Sequence, residues 1–104
     1  RNITSEGPVI ERVEPVDGGL LLTFSNAKGL HATGNRLIGF ELAGADGIYY
    51  EAQATIENSN QVRVTSAPSV PHPVSVRYGW QPFTRANLVN DKGLPCSTFE
   101  IEEH

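Results

Sequence analysis

The sequence predicts an all-β fold, a two-sheet antiparallel sandwich of immunoglobulin-like or jelly-roll type with about seven or eight short strands. Three observations carry that expectation. Apolar residues recur with period two over short runs, as in Val62 and Val64 or Val74, Val76 and Tyr78. Gly, Pro, Asn and Asp, the residues of tight turns, bound those runs. The spacing of an amphipathic helix is sustained nowhere.

The first run, from 9 to 13, sets Val9, Glu11 and Val13 on one face and Ile10 and Arg12 on the other. Pro8 and Pro15 bracket it, and proline cannot donate to a ladder, so it reads as an edge strand. Asp17-Gly18-Gly19 then turns the chain into Leu20-Leu21-Leu22-Thr23-Phe24, whose Leu20, Leu22 and Phe24 share one face and should be central to the core. Small, polar and glycine residues from 26 to 36 predict a long surface loop. Ile38, Phe40 and Leu42 alternate with Gly39 and Glu41, and Gly44-Ala45-Asp46-Gly47 folds that strand back onto a run from 48 to 56. A second turn at Glu57-Asn58-Ser59-Asn60 leads into Gln61-Val62-Arg63-Val64-Thr65, with both valines facing inward. Pro68, Pro71 and Pro73 interrupt any ladder, so the chain is expected to cross to the other sheet there. Val74, Val76 and Tyr78 form one face of the next strand, which Gly79-Trp80 ends. Residues 81 to 94 read as irregular, with a turn at Asn90-Asp91-Lys92-Gly93, and Thr98-Phe99-Glu100-Ile101 is the final strand.

At 104 residues and 38% hydrophobic, the chain makes one domain, 1–104, with a core that needs neither disulfides nor metal. Its 8 basic residues are scattered singly among 12 acidic ones, which builds no cationic stripe for nucleic acid. No apolar run approaches the roughly 20 residues of a membrane-spanning helix, so no membrane partner is expected. The N-terminus shows no basic-then-apolar leader pattern. A lone Cys96 rules out an intramolecular disulfide.

The residues carry no complete catalytic site. His31, His72 and His104 lie far apart, with no Cys, Asp or second His at a metal-ligand spacing, so neither a metal nor a cofactor is expected. There is no Gly-x-Ser-x-Gly elbow, and no aspartate is followed three residues later by histidine. Cys96, beside Pro95 at the entry to a strand, reads as a small buried hydrophobe rather than a nucleophile. What remains is aromatic. Tyr49, Tyr50, Tyr78 and Trp80 are the candidates for stacking on sugar rings. Tyr78 lies in phase with Val76 and so fits the core. Trp80 is equally placed for core, domain interface or ligand contact, and Arg77, on the face opposite Tyr78, is either solvated or paired across an interface. Arg77, Tyr78 and Trp80 are therefore the ligand or domain-interface candidates.

Three blocks resemble, in order, the C-terminal domain of the sialate O-acetylesterases, carbohydrate esterases of the SGNH-hydrolase superfamily. Ile38-Gly39-Phe40-Glu41-Leu42-Ala43-Gly44-Ala45-Asp46-Gly47 is similar to that domain's GFxIAGxDG hairpin, and Val76-Arg77-Tyr78-Gly79-Trp80 to its VRYGW strand. Asn87-Leu88-Val89-Asn90-Asp91-Lys92-Gly93-Leu94-Pro95 is similar to its NLYNxxGLPxxPF tail, and Ile3-Thr4-Ser5-Glu6-Gly7-Pro8 to the linker that leaves the esterase domain. Two positions depart from the pattern: Cys96 stands where a small residue such as alanine is usual, and Thr98 where proline is usual.

The resemblance implies a C-terminal accessory domain whose catalytic serine, histidine and aspartate sit in an upstream SGNH α/β domain of the same polypeptide. It implies a parent that removes O-acetyl groups from sialic acid or from polysaccharides such as xylan, outside the cytoplasm, in the periplasm or secreted. The competing expectation is an autonomous carbohydrate-binding module that takes an acetylated glycan on Trp80 and the neighbouring tyrosines.

Overall fold

Each hairpin starts from a residue whose backbone can reverse the chain. Gly18 takes a φ of 77°, a left-handed conformation open to glycine without steric cost, and folds β1 (Val9–Val16) onto β2 (Gly19–Ser25). The structure, a computed structural model, describes residues 7–66, 69–80 and 86–102. Residues 3–6 of the linker-like opening, Pro68 and residues 81–85 of the stretch read as irregular lie outside it, as does His104. The remaining strands are β3 (His31–Ala32), β4 (Phe40–Ala43), β5 (Tyr49–Glu51), β6 (Gln53–Glu57), β7 (Gln61–Thr65), β8 (Ser75–Tyr78), β9 (Leu88–Val89) and β10 (Phe99–Glu102).

They form two four-stranded sheets, ordered β1-β2-β7-β6 and β10-β8-β4-β5, with β3 and β9 as a separate pair. Every pairing between these strands is antiparallel. The expected all-β sandwich is what the chain adopts, with β1 at an edge and the proline segment carrying the chain from β7 in one sheet to β8 in the other.

The core lies between the sheets. Leu20, Leu22, Phe24, Val62 and Val64 from the first sheet meet Phe40, Leu42, Val76 and Tyr78 from the second, and all are buried. Each fully buried side chain of this size stabilises the fold by roughly 1.5–3 kcal/mol. Aromatic rings tie the layers together: Phe40 and Tyr78 lie 4.7 Å apart, Tyr78 and Phe99 5.7 Å, and Phe24 reaches Phe99 across the gap at 6.1 Å. The Tyr78 hydroxyl accepts a hydrogen bond from the Leu88 N–H at 2.8 Å, so the polar tip of this buried ring is satisfied.

Three local features differ from the sequence expectation. The register of β1 shifts between Ile10 and Arg12. Such a bulge inserts one residue and reverses the alternation beyond it, so Ile10 and Val13 pack on the core together while Val9 is exposed. The run from 48 to 56 is two strands. At Ala52, whose N–H donates to the Phe40 carbonyl at 3.0 Å, the chain leaves β4 and passes into the first sheet as β6. The segments read as loop and irregular contain β3 and β9, whose two residues each are too few for a period to register.

Candidate functional site

The outward face of the second sheet is built by register. Glu41 on β4 and Glu100 on β10 flank Arg77 on β8 as direct cross-strand neighbours, and Glu51 on β5 stands opposite Glu41. Opposite charges facing each other across antiparallel strands attract. The Arg77 Nε donates to Glu41 Oε1 at 2.7 Å, and both side chains are only 17% exposed. The cover comes from aromatic rings: the guanidinium carbon lies 4.0 Å from the centroid of Tyr49 and 5.5 Å from that of Trp80. An arginine plane over aromatic faces gains from the ring quadrupole as well as from packing.

Trp80 reaches this face because of Gly79. A regular strand would send Trp80 to the same side as Val76 and Tyr78, into the core. Gly79 instead has a φ of 67°, and a Cβ there would come within 2.9 Å of the Thr98 methyl. This left-handed residue breaks the alternation, so Trp80 turns outward and stays 49% exposed. Gly39 makes the matching step on the neighbouring strand: its φ is 106°, its carbonyl accepts the Gly79 N–H at 2.9 Å, and an added Cβ would lie 2.9 Å from that of Ala86.

Of the sequence candidates, Arg77 and Trp80 are brought together here, and Tyr78 is not. Tyr78 points the other way, 1% exposed, and burial pushes its phenol up to about 12. Sequence reasoning missed Glu41, since its pairing with Arg77 spans 36 residues and no local pattern encodes it. Tyr49 is one of the four aromatic candidates in the sequence, and the structure adds its partners. The Tyr49 hydroxyl donates to Ser75 Oγ at 3.0 Å. Burial raises the Tyr49 phenol above its ordinary value; the Ser75 hydrogen bond opposes this and the Glu100 carboxylate adds to it.

The patch offers a guanidinium held by a carboxylate and an indole face open to a partner, which suits contact rather than bond-making. The described thiol and imidazole groups lie elsewhere. Cys96 is buried, and burial pushes its thiol up to about 12, so it stays protonated and a poor nucleophile near neutral pH. His31 Nδ1 lies 2.7 Å from the Gly29 carbonyl, and His72 is exposed between two prolines. Among the described residues no group of three or more His, Cys, Asp or Glu is placed to hold a metal ion.

No family model and no curated protein matches the chain. Among solved structures it is similar to a novel carbohydrate acetylesterase from Xanthomonas citri, at 36% identity and a TM-score of 0.84. The match covers 93% of this chain and 23% of that one. The chain thus spans about a quarter of that enzyme's length, and in sequence and fold it is similar to a domain-sized segment of a carbohydrate acetylesterase.

Proposed function

We propose that the chain is a non-catalytic accessory domain of a carbohydrate esterase of the sialate O-acetylesterase type. It packs through the Trp80–Arg77 patch on an SGNH catalytic domain of the same polypeptide. The parent hydrolyses O-acetyl esters on sialic acid or other glycans and works outside the cytoplasm. The observation that carries this reading is the similarity at 36% identity over nearly the whole chain to a segment of a carbohydrate acetylesterase about four times as long. The exposed indole beside a clamped guanidinium supports it, because an apolar ring ringed by polar groups on a sheet face is the anatomy of an interface anchor.

The isolated chain should then leave p-nitrophenyl acetate untouched, as no activated nucleophile stands beside a base among the described residues. Turnover above buffer that disappears on mutating Cys96 or a histidine would overturn the proposal. In the parent, Trp80→Ala should lower stability or substrate affinity while the groups that perform the chemistry stay intact.

The second reading is an autonomous carbohydrate-binding module, favoured by the same half-exposed Trp80 ring. Against it, Glu51, Glu100 and Glu102 share the outward face with Trp80, and all three are exposed. An acidic sugar would meet like charge there. A saturable calorimetric signal with sialosides or acetylated xylo-oligosaccharides, lost in Trp80→Ala, would favour the module.

A further inference from the structure

We propose that the cleft between the β4–β5 turn and residues 69–74 is a binding site for a neutral sugar residue of a glycan chain. Its position is separate from the Trp80–Arg77 patch. Four large hydrophobic side chains are exposed among the described residues, and two of them, Ile48 at 54% and Tyr50 at 43%, line this one cleft. Val70, Pro71 and Val74 complete an apolar surface, and Asp46, Ser69 and His72 stand around it. The volume is about 360 Å³, within the range of roughly 300–1,000 Å³ for small-molecule sites.

The walls are held in place before any ligand arrives. The Val74 N–H donates to the Ala43 carbonyl at 2.8 Å, and the Val70 N–H to the Ser66 carbonyl at 3.1 Å, which pins both ends of one wall. Pro71 and Pro73 restrict the backbone between them. On the other wall the Gly47 N–H donates to the Gly44 carbonyl at 3.1 Å, and Asp46 Oδ1 accepts the Ile48 N–H at 3.0 Å. A preformed site loses less freedom on binding.

The ligand class follows from the lining. An aromatic ring next to branched aliphatic and proline surface calls for a partner with an apolar C–H face. The carboxylate, hydroxyl and imidazole at the rim call for hydroxyl groups on its edges. The described lining residues include the carboxylate of Asp46 and neither lysine nor arginine, so a carboxylate, sulfate or phosphate ligand would meet like charge without a permanent cation to pair with. A pyranose ring without charge meets all three conditions.

The proposal stands whether or not the chain braces a catalytic domain, and its test uses this chain alone. Calorimetry and amide-shift mapping with xylohexaose, cellohexaose and mannohexaose at about millimolar concentration, with sialyllactose as the charged comparison, read it directly. A saturable signal is expected with at least one neutral glycan, with shifts confined to residues 46–50 and 69–74. Tyr50→Ala and Ile48→Ser should each weaken it about tenfold or more, and Trp80→Ala should leave it unchanged. Shifts in the unmutated chain locate the site even if a variant folds poorly. No saturable binding to any of the three neutral glycans would overturn the proposal. So would equal or tighter binding of sialyllactose, shifts centred on Trp80, or full affinity in Tyr50→Ala.

Discussion

The two central strands β7 and β8 follow one plan and end in different surroundings. Each buries the residues on either side of an outward arginine: Val62 and Val64 around Arg63, Val76 and Tyr78 around Arg77. Each arginine meets a glutamate on a neighbouring strand, Glu57 for Arg63 and Glu41 for Arg77. Yet Arg63 and Glu57 keep 37% and 32% of their side chains in solvent, and Arg77 and Glu41 only 17% each. The difference comes from neighbours: Tyr49 and Trp80 lie over Arg77, whereas Arg63 is paired across its strands with Thr55 and Leu21. Period-two burial builds the core of both sheets equally. What is placed beside the outward charge decides which ion pair is shielded from solvent.

The equality of the inner faces is the claim with the largest expected effect. Phe40→Ala in the second sheet should destabilise the domain by roughly 3–5 kcal/mol, and Leu22→Ala in the first by roughly 2–5 kcal/mol. Denaturant unfolding of both variants checks this, and a near-zero result for either would show that its sheet does not share the core.

Alkaline pH should act next, and from the inside. Tyr78 and Cys96 have ordinary values of 10.0 and 9.0, and burial pushes each up to about 12 in the folded chain. Where the unfolded chain has released these protons the folded chain still holds them, so stability falls as pH rises from about 9 toward 12. Thermal melts across that window should show the loss, and Cys96→Ala should remove the part that begins near 9. A flat profile would mean that neither group is buried as described.

Tyr78→Phe tests the hydroxyl that caps the core. It leaves the Leu88 N–H without its acceptor in a buried place, at a cost of roughly 1–3 kcal/mol. Equilibrium unfolding of this variant beside Phe40→Ala separates the polar tip from the ring.

The outer faces should then diverge. Arg77→Ala is expected to cost roughly 1–3 kcal/mol, combining a shielded charge-assisted hydrogen bond with ring packing, and Arg63→Ala less, since exposed pairs contribute little. Equal losses would erase the comparison. The smallest effect is that of Trp80→Ala in the isolated chain, within about 0.5 kcal/mol, because half of this ring is already in water.

Much of this was legible in the chain itself. Leu20, Leu22, Phe24, Val62 and Val64 follow the alternation without interruption, and the structure buries all five. The alternation misled in β1, where the bulge reverses the phase between Val9 and Val13, and it left Trp80 open between core and surface, a choice made by Gly79, which turns Trp80 away from the face of Tyr78. Those events depend on a single backbone angle or an unpaired residue, which side-chain periodicity does not report. The strand switch at Ala52 was hidden because apolar spacing continues across it while the pairing partner changes from β4 to β7. The site was half visible for a similar reason. Arg77 and Trp80 are near neighbours in sequence, but Glu41 and Tyr49 reach them only through cross-strand pairing.

In the proposed function Trp80 is an anchor that a covalently linked esterase domain covers. Hydroxyl-radical footprinting reads that side chain by its oxidation in a single peptide, in this chain and in the longer esterase under the same dose. Trp80 should oxidise readily in the isolated chain and several-fold more slowly in the parent, at the level of a buried residue. Equal oxidation in both would leave Trp80 open to solvent in the parent and contradict the docking of a catalytic domain on this face.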